Sequence, residues 1–391
     1  MPKSIKKIKT NLIILVVVAI LTATSFCNNN VYAYSYALTI EALGKMYSFS
    51  SYEIATFNGK KHLKNAGDIV DGIYLDTVVR PVDASIIFIP QNVKKFQVNP
   101  GKNGIEIDKT ALISDIDRAL NEGDSYIKAK TNVINKLIDE NELLKYTFLR
   151  SSFTTYYDAT AVERKHNIML ASNSINGVCI NDGEEFSFNN VVGERSEKRG
   201  YKQAKIIIDG NFTDGVGGGV CQVSTTLYNA VILSGLKVTE QHSHSLQVGY
   251  VEPSFDAMVS YNSSDLKFVN VTGGKVFIAV YLGENYIKFE VYGKKPTEEY
   301  KRVSVVTEST KPQATEEIES DELFVGQSKV IQNAKDGIKS EGYLITYKNG
   351  ERVKNVKIRS DSYKPIRGKI MVGTKRNEQE FQENCENLVN N

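Results

Sequence analysis

The run Gly217-Gly218-Gly219-Val220-Cys221-Gln222 is the most informative stretch of this 391-residue sequence. Consecutive glycines permit positive φ angles and close approach of the backbone to its neighbours. Apolar residues then recur at helical spacing until Gly235 ends the pattern; they are Val223, Leu227, Ala230 and Val231. The pattern predicts a buried helix that carries the thiol of Cys221 in its first turn.

A cysteine at the start of a helix has a chemical consequence. The free N–H groups and partial positive charge of a helix N-terminus favour thiolate over thiol, and they can also hold a developing oxyanion. The nucleophile needs a base, and two of the four histidines, His242 and His244, follow shortly downstream. Asp256 comes next and is suited to orient an imidazole. We predict Cys221 as nucleophile, His244 as base and Asp256 as the orienting carboxylate.

The same region supplies the predicted substrate contacts. We expect the substrate to be bound by the glycine run and two neighbouring polar side chains: Gly217, Gly218, Gly219, Gln222 and Arg195. No metal and no cofactor are predicted. The glycine run lacks the Lys-Ser/Thr pair of a phosphate-binding loop, and a Cys/His/His set has no obvious fourth zinc ligand.

Structural alternatives remain open at this stage. Cys221 is equally suited to be a small apolar residue where a glycine turn packs against a helix. A Cys179–Cys221 disulfide is a second alternative. Asp256 is also a residue type that commonly caps turns.

The N-terminal residues have the order of a secretory signal. A lysine cluster precedes an apolar run from Leu12 to about Phe26, and Val31-Tyr32-Ala33 resembles a cleavage site. We therefore expect residues 1–33 to be a signal peptide or an uncleaved membrane anchor, with the rest of the chain outside the cytoplasm. Three cysteines then remain, so at least one thiol is unpaired or pairs between chains.

The composition limits the classes of binding partner that the protein is expected to have. The formal net charge is +2, with 41% hydrophobic and 24% charged residues, and basic and acidic side chains are mixed along the chain. Nothing in this distribution favours nucleic acid, and a membrane is expected only through an uncleaved N-terminal segment.

Composition also divides the chain into modules, and the fold class predicted is multi-domain α+β. The expected boundaries are 34–150, 151–295, a solvated linker at 296–320, 321–375 and a disordered tail at 376–391. The first module should contain a helix capped by Asp108 and ending near Gly123. The middle one should close with a hairpin whose strands cover 276–282 and 287–292.

Residues 151–293 resemble the VanW family of Gram-positive bacteria. The resemblance rests on Gly-Gly-Gly-Val-Cys-Gln-Val-Ser-Thr-Thr-Leu-Tyr from Gly217, the His-Ser pairs from His242, and Tyr250-Val251. The family is named for an accessory protein of vancomycin-resistance clusters, so the resemblance implies a role at the cell envelope. It implies no settled activity.

The flanking modules carry resemblances of their own. Residues 34–150 resemble a peptidoglycan-binding domain through Pro81, Ala84, Phe96, Val98, Gly101, Gly104 and Asp108. Residues 321–375 resemble a G5 domain, a small all-β extracellular module, through Gly326, Gly337, Gly342, Gly350 and Gly373. Together they predict an extracellular, wall-associated protein that binds or modifies peptidoglycan. Modification would proceed by Cys-dependent acyl transfer or amide hydrolysis; the alternative is a non-catalytic adhesion scaffold.

Overall fold

A computed structural model describes residues 37–208 and 211–376. The predicted signal or anchor at 1–33 and the tail beyond 376, including Cys385, lie outside the described residues. In the part described, no helix has both the length and the apolar character needed to cross a membrane. Within the described residues the chain divides into two compact units, one of residues up to 79 with 105–133 and one of residues 80–104 with those from 134 onward.

The N-terminal third of the described chain contains short strands and two helices. The elements are β1 (Leu38–Ala42), β2 (Lys45–Phe49), β3 (Ile54–Phe57), β4 (Lys60–Leu63), α1 (Ala66–Thr77), β5 (Ser85–Phe88), β6 (Phe96–Asn99), β7 (Gly104–Ile107), α2 (Lys109–Glu122), β8 (Tyr126–Lys128) and β9 (Thr131–Ile134). In the first unit α1 and α2 enclose a core with the sheet β2-β1-β8. The prediction for α2 is confirmed: the Asp108 side chain accepts a hydrogen bond from Ala111 N at 2.9 Å, and Gly123 ends the helix with φ +88°.

The hairpin β5-β6 belongs to the second unit instead of the first. Its rings stack with each other and against two later strands, with Phe88–Phe96 centroids 4.9 Å apart and Phe96–Tyr292 centroids 5.5 Å apart. Residues 80–104 and 134–150 of the predicted 34–150 module thus pack with the second compact unit. Apolar alternation in β5 and β6 indicates burial but does not say which core receives the side chains.

The middle of the chain forms a hydrophobic core around one buried helix. Its elements are α3 (Glu140–Leu144), β10 (Phe148–Tyr156), α4 (Val162–Ile175), β11 (Cys179–Ile180), β12 (Glu185–Ser187), α5 (Phe188–Val192), β13 (Gln203–Ile208), β14 (Asn211–Val216), α6 (Val220–Leu233), β15 (Lys237–Glu240), β16 (Lys267–Val269), β17 (Val276–Leu282) and β18 (Tyr286–Gly293). Helix α6 packs on the sheet β10-β18-β17-β11 and beside α4. All but two of its residues are buried, which confirms the predicted buried helix and the β17-β18 hairpin.

The last module is all β. Its strands are β19 (Glu299–Thr310), β20 (Glu316–Phe324), β21 (Ser328–Gln332), β22 (Gly337–Lys348), β23 (Glu351–Tyr363) and β24 (Lys369–Lys375). They form the sheets β19-β22-β23 and β20-β24-β21. Asn349 and Gly350 adopt φ +53° and +83° at the β22-β23 turn, as a tight hairpin requires.

The predicted linker at 296–320 is wrong, because β19 and the start of β20 lie within it. Strand β19 pairs with β22 along its whole length, from Glu299 opposite Tyr347 to Thr310 opposite Gly337. Its composition of Glu, Lys, Ser and Thr is that of a solvated segment. Only the alternation of half-buried and exposed positions in its first half reveals a strand.

Candidate functional site

The glycine run places Cys221 by packing closely on two neighbours. A Cβ on Gly218 would lie 2.7 Å from the Lys205 carbonyl oxygen, and one on Gly219 would lie 3.0 Å from the Arg164 side chain. Gly219 is the N-cap of α6 with φ +108°, where a side chain would be strained. The three glycines are buried, so their side of the turn is filled by protein, and the next turn brings Cys221 to a partly exposed position.

Polar side chains inside α6 hold the segment that carries Asp256. Ser224 donates to the Ala257 carbonyl at 2.6 Å, Thr225 accepts from the Ala257 N–H at 2.9 Å, and Asn229 donates to the Phe255 carbonyl at 2.8 Å. Such residues are weak helix formers. Here they give the irregular segment its backbone hydrogen bonds and fix Asp256 relative to Cys221.

His244 is held by Asp256 at two points. Oδ2 of Asp256 accepts a hydrogen bond from the backbone N–H of His244 at 2.7 Å and lies 2.7 Å from Nδ1 of its ring. The two side chains are 6% and 1% exposed, so water does not compete for either bond. The carboxylate thus fixes the ring orientation and leaves Nε2 for a second partner.

The Cys221 thiol lies beside the His244 ring, and its Sγ donates to the Val259 carbonyl at 3.5 Å. Burial disfavours the Cys221 thiolate, but a hydrogen bond with His244 and the charge of its ring outweigh burial and lower the pKa of Cys221 below its ordinary value. Burial likewise opposes a charged His244, whereas the bonds to Asp256 and Cys221 raise its pKa to about 9. Both shifts favour a thiolate beside an imidazolium, and the two groups titrate as a coupled unit.

Among the predicted substrate contacts, Arg195 is the one whose charge acts on Cys221. Its guanidinium lowers the Cys221 pKa further. Its Nη1 donates to the Gly193 carbonyl at 3.2 Å, while its buried Nη2 has no hydrogen-bond partner among the described residues. An unpaired guanidinium nitrogen beside a thiolate is suited to an anionic group of a ligand.

The structure buries the other predicted substrate contacts in the protein interior, where they support the fold around Cys221. Gln222 is 1% exposed, and its amide accepts from Arg164 at 2.8 Å and donates to the Tyr156 carbonyl at 2.8 Å. Gly217, Gly218 and Gly219 are buried against packed atoms. This close packing of the three glycines therefore shapes the turn on the side away from the Cys221 thiol.

Geometry separates Cys221 from Cys179 and His244 from His242. Cys179 and Cys221 are both free thiols, so the disulfide alternative is wrong: Cys179 lies exposed on β11, paired with β17. His242 faces Glu240, with Nε2 3.0 Å from Oε1, whereas His244 faces Asp256. Across residues 37–208 and 211–376, no cluster of three His, Cys, Asp or Glu side chains could hold a metal ion.

Sequence reasoning missed three residues around the site. Tyr250 lies beside Cys221 and Thr225, and burial together with the charge of Cys221 raises its pKa. Arg359 and Tyr363, on β23, both bond to Asp256. Tyr250 belongs to the Tyr250-Val251 motif, so the sequence could have indicated it as a site residue. Arg359 and Tyr363 are more than 100 positions from Asp256 in sequence, and no local pattern indicates their contact with it.

Family models match this chain in three consecutive segments. The model described as "Putative peptidoglycan binding domain" matches residues 33–127, "VanW like protein" matches 163–292 and "G5 domain" matches 302–375. The solved G5 domain of IgA1 protease is 28% identical, covers 21% of this chain and 94% of that domain, and gives a TM-score of 0.15.

Two curated proteins are similar over the middle of the chain. YoaR of Bacillus subtilis is 38% identical over 174 residues, which are 44% of this chain and 57% of that protein. Vancomycin B-type resistance protein VanW of Enterococcus faecalis is 29% identical over 189 residues, which are 45% of this chain and 68% of that protein. The chain thus spans a little over half the length of YoaR. The three family models match in the predicted order, with the peptidoglycan-binding model before the VanW-like model and the G5 model after it, so the resemblances read from the sequence are confirmed.

Proposed function

We propose that this protein works at the cell wall and that its VanW domain is a cysteine-dependent enzyme acting on amide bonds of peptidoglycan. The observation that carries the enzymatic part is the buried His244–Asp256 pair, with Nδ1 2.7 Å from Oδ2, beside a thiol whose pKa is lowered while that of the imidazole is raised. The proposed location is supported by the neighbouring domains, because a peptidoglycan-binding-type domain and a G5 domain flank the VanW domain. The proposed partner is peptidoglycan or another wall glycan.

The reaction follows from the resting charges. The Cys221 thiolate attacks the carbonyl carbon of a stem-peptide amide, forming a C–S bond and placing the electron pair of the C=O bond on oxygen. The His244 imidazolium then gives its proton to the leaving nitrogen as the C–N bond breaks. A thioester remains on Cys221, and His244 is neutral and ready to act as a base.

The second half-reaction decides between the two outcomes. Neutral His244 takes a proton from water or from an acceptor amine, whose oxygen or nitrogen attacks the thioester carbon. Cys221 leaves as a thiolate and the imidazolium is restored. Water gives amide hydrolysis, and an amine gives acyl transfer.

The start of α6 offers a donor for the oxyanion. The N–H groups of Val220 and Gln222 bond to Gly217 and Gly219 carbonyls at 3.1 and 3.0 Å. Among the described residues the N–H of Cys221 has no backbone acceptor. It lies on the attacking residue itself, where an oxyanion hole commonly takes one of its donors.

Cationic groups near the site suit a substrate with carboxylates. Arg195 has its unpaired Nη2 beside the thiolate. A cavity of about 610 Å³ shares Tyr250 with the surroundings of Cys221, and its wall also carries Lys335 and Arg302, the latter paired with Glu252 at 2.7 Å. Stem peptides carry free carboxylates, so we propose that Arg195 anchors one of them during the reaction.

A non-catalytic scaffold is the second candidate function. It is favoured by the presence of two further modules of wall-associated families on one chain. In that case binding is spread over the modules, and the buried His244–Asp256 pair serves only to hold the segment around it.

Incubation of the purified protein with muropeptides separates the two functions. We expect product whose mass shows loss of an amide bond to water, or its exchange with an amine, by liquid chromatography and mass spectrometry. The same protein should co-sediment with intact sacculi. Co-sedimentation without any product, across cross-linked and uncross-linked muropeptides, would contradict the enzyme and support the scaffold.

A further inference from the structure

The orienting carboxylate of the site is held from the far side by the G5 domain. Asp256 uses Oδ2 for His244, and its other oxygen, Oδ1, accepts from the Tyr363 hydroxyl at 2.6 Å and lies 3.4 Å from Arg359 Nη2. The Arg359 Nη1 also donates to the Asp256 carbonyl. One carboxylate therefore joins the VanW domain to strand β23.

The contact between Asp256 and strand β23 is buried and is made by hydrogen bonds and ion pairs. The side chains of Arg359 and Asp256 are 6% and 1% exposed, and Tyr363 is 3% exposed. Arg359 is further paired with Asp361 at 2.8 Å and lies over the Tyr228 ring of α6, 5.6 Å from its centroid. A buried charge that lost one of these partners would be left uncompensated, so the arrangement is tightly specified.

The backbone before Asp256 is held by the same strands. Ser254 adopts φ +64°, an uncommon conformation for a residue other than glycine. Its N–H donates to the Tyr363 hydroxyl at 2.8 Å, and its hydroxyl lies 2.8 Å from that of Ser340 on β22. A Cβ on Gly342 would lie 2.9 Å from the Ser254 carbonyl oxygen, so this G5 glycine permits the close approach.

We propose that Arg359 and Tyr363 are positioning residues of the Cys221–His244–Asp256 site, so that the VanW domain reaches its reactive geometry only with the G5 domain docked on it. This inference rests on the proposed function. Neither residue touches the thiol; both act through Asp256, whose carboxylate they orient toward His244. The groups that face Asp256 are His244, Tyr363 and Arg359, with Tyr228 and Asp361 behind them.

The test measures the reactivity of the Cys221 thiol, which needs no substrate. Wild type, Arg359→Met and Tyr363→Phe are alkylated with iodoacetamide across a pH series, and modification of the Cys221 peptide is followed by mass spectrometry. At mildly acidic pH we expect Arg359→Met to slow alkylation about tenfold, since one unit of pKa is tenfold in thiolate fraction. Tyr363→Phe should slow it several-fold, and Arg359→Lys should restore part of the Arg359→Met loss.

Matched controls come from the same module. Arg352 is exposed on β23, and Tyr343 on β22 donates its hydroxyl to Glu341 at 2.5 Å within its own module. Arg352→Met and Tyr343→Phe should follow the wild-type pH profile. Thermal unfolding identifies any variant that fails to fold, and Tyr363→Phe, which removes one oxygen, remains decisive if Arg359→Met does fail.

The outcomes separate this inference from the enzymatic function. Alkylation profiles of folded Tyr363→Phe and Arg359→Met that match the wild type would overturn the inference, whether or not muropeptides are turned over. Shifted profiles without wild-type turnover would support the inference and count against the enzyme. Where the wild type turns over muropeptides, Arg359→Met should lower kcat more than it raises KM, because Arg359 does not contact the substrate.

Discussion

Muropeptide turnover by the Cys221→Ala variant is expected to fall by about 10³-fold or more relative to the wild type. Cys221 supplies the sulfur that forms the thioester, and neither His244 nor Asp256 can replace it in that step. Alanine fits the partly exposed first turn of α6 without a clash, so the fold should be retained. Circular dichroism checks the fold, and mass spectrometry of the reaction mixture follows the product.

The Cys179→Ser variant is the matched control for the loss of a thiol. Cys179 is a free thiol on β11 that is exposed overall, and the partial burial of its sulfur raises its pKa, opposite to the shift at Cys221. It should turn over muropeptides as the wild type does. Turnover by folded Cys221→Ala close to the wild-type value would contradict the nucleophile and make Cys221 a packing residue of the glycine turn.

The Asp256→Asn variant is expected to lose about 10³-fold in turnover, in line with the large effect of an amide in place of a triad carboxylate. Without the charge of Asp256, burial lowers the pKa of His244 from about 9 and the ring is neutral near pH 7. Cys221 then lacks its imidazolium, and its own pKa rises. The acid limb of the pH–rate profile for kcat/KM should move to higher pH.

Glu240→Gln provides the control for removing a carboxylate from a histidine. Glu240 lies 3.0 Å from His242 Nε2, and hydrogen bonds from Lys267 and His242 lower its pKa to about 2. The pair is more exposed and does not contact Cys221. We expect an unchanged pH profile for this variant; equal losses in Glu240→Gln and Asp256→Asn would indicate damage to the fold instead of to the site.

The local part of the site could be predicted from the sequence. The helix that begins after Gly219, the thiol in its first turn, and the order of Cys221, His244 and Asp256 are all properties of adjacent or nearby residues. The structure bonds His244 to Asp256 and places the Cys221 thiol close enough to His244 for each to shift the other's pKa. The second oxygen of Asp256 bonds to residues of β23, and no sequence pattern near Asp256 indicates that contact.

The remainder depended on contacts distant in sequence. Arg359 and Tyr363 occur in a charged strand where either residue type is ordinary on a solvated surface. The hairpin β5-β6 looked like part of the first module because its apolar alternation shows burial without naming the core. Strand β19 looked like a linker because its stability comes from pairing with β22, and its composition is polar.

The ultraviolet absorbance of the Cys221 thiolate, titrated as the difference between wild type and Cys221→Ala, tests the central claim most directly. The structure predicts a thiolate that appears below the ordinary cysteine pKa of about 8.5 and is accompanied by loss of the His244 proton near pH 9. A thiol that ionises only at or above the ordinary value would contradict the account, because burial without an imidazolium partner gives that result.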